Sequence, residues 1–146
     1  MKTKSKSKKM VLALLLSLAV MTFATSCARI SDEQKETANR MTENLFEGII
    51  REDYAVFSKD FDAPVLDAMD ETAFRDLTLS LREVLGPDYS IQWVSAQATK
   101  AQGKAIGVHH YKITSSLTEE PIEFTLFASE DGNQTYISGF SIESDE

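Results

Sequence analysis

Residues 81–93, LREVLGPDYSIQW, hold the change of period that decides the fold. Up to this point apolar side chains recur at helical spacing: Phe74, Leu77, Leu81 and Val84 return every three or four residues behind Asp70, a side chain suited to capping a helix start. Gly86-Pro87 then stops the helix, because glycine tolerates the left-handed turn that ends one and proline has no N–H with which to continue it. Immediately afterwards Tyr89, Ile91 and Trp93 alternate with polar residues, the period of a half-buried strand.

Upstream the chain reads as helical throughout. Ser31 with Gln34 three residues later forms a capping box, and Ala38, Met41, Leu45 and Ile49 make one apolar stripe, which predicts a helix over residues 32–51. A short helix is predicted over 54–59 and another turn or two over 64–69, with Pro64 at its start. Downstream everything reads as strand. A turn at Gly103 leads into a strand over 105–114, residues 116–120 turn again, and Ile122, Phe124 and Leu126 alternate in a third strand. Asp131-Gly132-Asn133 gives a tight hairpin into a fourth strand over 135–142. Helices first and an antiparallel meander second define an α+β domain, N-terminal helices packed on a curved four-stranded sheet.

The first 27 residues have a different character. Residues 1–10 are basic, residues 11–24 are an apolar run of 14, and Ala24-Thr25-Ser26-Cys27 closes the segment. That order is an export signal; the apolar run falls short of the ~20 residues a spanning helix needs. The closing four residues resemble the lipobox of bacterial lipoproteins, with Ala24 where leucine is commoner. The resemblance implies cleavage between Ser26 and Cys27, and lipid on Cys27 carrying at least two acyl chains, which is what durable membrane attachment requires. The expected organisation is a signal peptide over 1–26, a lipidated cysteine and short tether over 27–31, and a single domain over 32–146, exported and held in the cell envelope. Cys27 is the single cysteine of the 146-residue chain, so lipid attachment also accounts for an otherwise unpaired thiol.

Removing the leader takes away Lys2, Lys4, Lys6, Lys8 and Lys9. It leaves 10 Lys and Arg against 23 Asp and Glu, a net charge near −13 in place of the −8 of the whole chain. Such a field repels phosphate backbones and anionic headgroups, which disfavours nucleic acid as a partner and polybasic docking to membranes.

With EGIIREDYAVFSKDFD, LREVLGPDYS and YISGFSI in that order, the mature chain resembles the small NTF2-like (cystatin-like cone) domains of exported proteins, the DUF3887 type in particular. The resemblance implies a cone whose open end is a pocket. In enzymatic relatives an Asp or His general base works there with a Tyr or acid partner; no catalytic pair of that kind can be matched to positions in this chain. Trp93, His110 and Tyr111 are the candidate pocket residues. His109 and His110 are consecutive on one strand and face opposite sides, so at most one lines a cavity and the two cannot chelate one metal as neighbours. Asp53, Asp60 and Asp62 make a carboxylate-rich edge but lack the turn glycine of a calcium loop, and they read as capping residues. Asn133-Gln134-Thr135 matches a glycosylation sequon by chance. The expectation is a lipid-anchored, non-enzymatic protein without a cofactor or metal, binding a small apolar ligand or a protein partner. The alternatives are an isomerase- or cyclase-like enzyme using a cavity carboxylate or histidine, and a dimerisation module forming a homodimer. Gly139, mid-strand in YISGFSI, is expected to permit a bend or a close helix approach.

Overall fold

The computed structural model describes residues 29–144. The signal peptide and the cleavage and lipid sites at Ser26 and Cys27 lie outside the described residues. Helix α1 spans Asp32–Arg51. Its capping box forms as the sequence requires, with the Gln34 N–H donating to Ser31 Oγ at 3.1 Å and the Ser31 N–H donating to Gln34 Oε1 at 2.8 Å. Glu52 ends it in the left-handed region at φ 55. Three aspartates then start three helices: Asp53 caps α2 (Tyr54–Phe57), Asp62 caps α3 (Ala63–Ala68) and Asp70 caps α4 (Glu71–Leu85), each accepting from backbone N–H groups of the first turn. Helix α2 is two residues shorter than predicted, because the chain turns at Ser58 to bring Phe61 against the sheet.

Four strands follow, β1 (Tyr89–Ala101), β2 (Lys104–Ser115), β3 (Ile122–Asp131) and β4 (Gln134–Glu143), paired antiparallel in sequence order as an open meander. Strand β1 runs eight residues beyond the alternation at Tyr89, Ile91 and Trp93. The pairing slips between Trp93 and Ser95, leaving Val94 as an extra residue that shifts the phase of the pattern. A second slip sits where Phe127 faces Gly139 and Ala128 faces Ile137, with Ser138 as the extra residue. Both bulges lie on the outer strands and raise the local twist. The outer edge of β4 is partly covered: Asp62 N–H donates to Ile137 O at 3.0 Å, and Ile137 N–H donates to Asp60 O at 2.7 Å.

The helices pack on one face of this sheet, and the space between is filled. Phe46 of α1 meets Phe124 of β3 edge-on at 5.1 Å, while Phe57 stands among Phe61, Phe74 and Phe140. Tyr54, Phe57 and Phe61 form one aromatic cluster under the sheet. For Gly139 the expectation of close helix approach fails: a Cβ there would meet only Phe127, at an ordinary 3.6 Å. Close approach occurs instead at Gly48, where a Cβ would stand 2.4 Å from the Phe57 backbone nitrogen. Among the described residues no helix is long and apolar enough to cross a membrane.

Candidate functional site

The three expected pocket residues do not share one cavity. Trp93 and Tyr111 are cross-strand partners, and Tyr111 is a core residue whose hydroxyl donates to Asn39 Oδ1 at 3.1 Å. Burial pushes that phenol up to about 12, so it stays protonated. His110, one residue earlier on the strand, faces the opposite side of the sheet, with Nδ1 3.2 Å from Thr125 Oγ1. The histidine that meets Trp93 is His109: the indole Nε1–H donates to His109 Nδ1 across 3.4 Å. The expected grouping around His110 is corrected accordingly. The cause is the register: Trp93 is paired with Tyr111, and His109, two residues along β2, shares the face of Tyr111 while His110 does not.

His109 is 1% exposed, and its ring lies over Gly107. A Cβ at Gly107 would be 2.9 Å from His109 Nε2 and 3.4 Å from Ile30 Cδ1, so the missing side chain makes the space in which ring and isoleucine meet. Beside them is a hollow of about 40 Å³ walled by Ala98, Ala105, Gly107 and Ala128. Burial, and secondarily the neighbouring His110, lower His109 to about 4. The ring is therefore neutral at pH 7, and with Nδ1 accepting from Trp93 its one proton sits on Nε2. Lys35 of α1 stands over the indole, its Nζ 4.1 Å from the ring centre.

Gln34 and Glu130 close the rim of the hollow. The Gln34 side chain that completes the capping box also donates from Nε2 to Glu130 Oε1 at 2.9 Å, tying the first turn of α1 to the end of β3. Outside this pair a groove of about 630 Å³ runs between Ser31, Glu33 and Thr37 on α1 and the β3–β4 turn at Gly132 and Asn133. Glu33 and Glu130 both line it, and no Lys or Arg does among the described residues. The hollow holds a few waters at most, whereas pockets for small organic ligands run to roughly 300–1,000 Å³. Chemically the arrangement offers a buried N–H donor behind an open, polar, acidic groove.

The other sequence candidates are occupied by structural tasks. Asp53 and Asp62 cap α2 and α3, and Asp60 accepts from Asn44 Nδ2 at 2.8 Å. Among the described residues no group of three His, Cys, Asp or Glu stands where it could hold a metal ion. Asn133-Gln134-Thr135 lies at the β3–β4 turn and the start of β4. Gln34, Gly107 and Glu130 were not marked as site residues by the sequence. Gln34 announced only its capping role, and the partner 96 positions away is set by tertiary packing.

No family model matches the chain, and no curated protein matches it in sequence. Among solved structures, that of Bdellovibrio bacteriovorus Bd1075 is similar over 79% of this chain with a TM-score of 0.45 and 11% identity. The chain spans 42% of the length of that protein.

Proposed function

We propose that the chain is a lipid-anchored cell-envelope protein with a non-enzymatic NTF2-like domain of the DUF3887 type, which binds a basic segment of a protein partner in the groove between α1 and the β3–β4 turn. The observation that carries this reading is the filled interior: aromatic side chains occupy the space under the helices, and the hollow that remains is about 40 Å³. A cavity reaction on a ring-sized substrate has no room there, which weighs against the isomerase-like alternative. What is open is the groove, whose two lining carboxylates, Glu33 and Glu130, complement positive charge.

Position supports the same reading. Ile30 packs beside Gly107 and His109, and only two residues separate it from Cys27, so a lipid there would hold the groove near the membrane surface. Hexalysine titrated into the full chain, followed by amide NMR, tests the proposal. Shifts are expected at Ser31–Thr37 and Glu130–Thr135, reduced about tenfold in apparent affinity by Glu33→Gln with Glu130→Gln, the ~1.4 kcal/mol scale of a pair of partly exposed charge contacts. Shifts spread evenly over the acidic surface, or unchanged affinity in the double variant, would contradict it.

A further inference from the structure

We propose that His109 is a proton-operated latch on the groove: its protonation frees Ile30 and Gln34 from the sheet and joins the hollow to the groove. This rests on the reading of the groove as the binding site and adds its regulation. In the closed arrangement His109 Nδ1 accepts from the Trp93 indole, and both Nε2 and the end of the Ile30 side chain lie against Gly107. A second proton on the ring turns Nδ1 into a donor facing another donor. The ring then needs an acceptor, and the side-chain acceptors lining the hollow are those of Gln34, Glu130 and Thr135.

The charged and titratable groups around the ring set the direction of movement. From α1, Lys35 sits over the indole that meets the ring; on β2 itself, His110 opposes a second positive charge from the other face. Strand β1 contributes Trp93 and no titratable group to the packing around the ring, and β4 contributes Thr135 to the lining. The single carboxylate lining the hollow is Glu130 on β3, at present held by Gln34. An imidazolium that reaches Glu130 or water must displace Gln34, Ile30 or both. Moving Gln34 breaks the tie between the first turn of α1 and β3, and the hollow and the groove, which share Gln34, Glu130 and Thr135, become continuous.

The sign follows from the shift. The closed state holds His109 at about 4 against an ordinary 6.5, so the open state binds the proton more tightly. Lowering the pH through that window favours opening by up to roughly 300-fold, the equivalent of about 2.5 pH units. The observed midpoint therefore lies between 4 and 6.5.

Trp93 is the chain's single tryptophan, which makes its fluorescence a direct reporter. In the full chain titrated from pH 7.5 to 3.5, a loss of Trp93 emission is expected in that window, together with amide shifts at Ile30 and Gln34 and unchanged far-UV circular dichroism. The transition should vanish in His109→Gln and survive in His110→Gln. A transition that persists in His109→Gln, or that coincides with loss of helix signal, would overturn the latch. If His109→Gln fails to fold, Nε2 and Nδ1 chemical shifts of wild-type His109 decide: a ring that stays neutral while Ile30 moves, or that charges while Ile30 stays, overturns it equally. Hexalysine binding is measured at pH 7.5, where the latch is shut, so failure of the binding reading leaves this titration unaffected.

Discussion

Alanine at position 48 is expected to destabilise the domain by on the order of 3 kcal/mol or more, against the ordinary trend for helices. In a helix interior, Gly→Ala normally gains about 1 kcal/mol, because alanine loses less backbone entropy on folding. Here the added Cβ would stand 2.4, 2.5 and 2.6 Å from the N, Cα and Cβ of Phe57. None of these is the far end of a flexible side chain. Relief requires moving the α2 backbone away from α1, and that movement is opposed by the Asp53 N–H bond to Gly48 O at 2.8 Å and by the left-handed cap at Glu52. Urea unfolding measures it: the midpoint should fall sharply with the slope unchanged. A midpoint at or above wild type would mean that the two backbones do not cross at this distance.

The second large effect is expected at the residue that Gly48 admits. Phe57 is 1% exposed, and its ring lies 4.6 Å from Phe74, 4.9 Å from Phe61 and 6.1 Å from Phe140. It joins α4 to the α2–α3 link and β4, which are themselves held together by the bridge between Phe61 and Ile137. Truncation to alanine removes the transfer free energy of the ring and leaves a cavity that three separate elements cannot easily collapse into, a loss of about 3–5 kcal/mol. For a domain whose total stability is roughly 5–15 kcal/mol, that is a large fraction. Leu79→Ala on the surface of α4, where the leucine is 60% exposed, is the control and should shift stability by no more than about 0.5 kcal/mol. Phe57→Ala keeps the N, Cα and Cβ atoms that an added Cβ at position 48 would meet, so it does not relieve that clash, and the double variant should be less stable than either single one.

Local chemistry explains what was legible in the sequence. Ser31 with Gln34, Asp70, Gly86 and the Asp131-Gly132-Asn133 turn each act through their immediate neighbours, and each places an element boundary within a residue or two of where it falls. Gly86 shows why: its φ of +60 is costly for any other residue, and the chain turns there as the sequence implies. Features set by register were illegible. Alternation within β1 cannot reveal which histidine meets the indole, because that depends on Trp93 being paired with Tyr111 across the strands. Placing His109 and His110 on opposite faces was within reach of the two-residue period; choosing between them needed the cross-strand register. Gly48 was equally silent, since nothing in EGIIRED distinguishes a glycine crossed by a backbone from one that simply weakens a helix.

The site itself was half visible. Trp93 stands beside the buried His109, but the groove depends on Glu33 and Glu130, ordinary surface carboxylates in a chain with 23 acidic residues, and only folding brings them to one cleft. Gln34 links both levels, capping α1 through one end of its amide and holding Glu130 through the other.

The proposed placement of the groove beside a membrane depends on lipid at Cys27, and the intact mass of the chain extracted from bacterial membranes tests this most directly. The expected species begins at Cys27, carries at least two acyl chains, and disappears in Cys27→Ser in favour of a product without lipid. A chain of unmodified mass, or lipid retained in the Cys27→Ser variant, would contradict the anchor and with it the placement of the groove at the membrane surface.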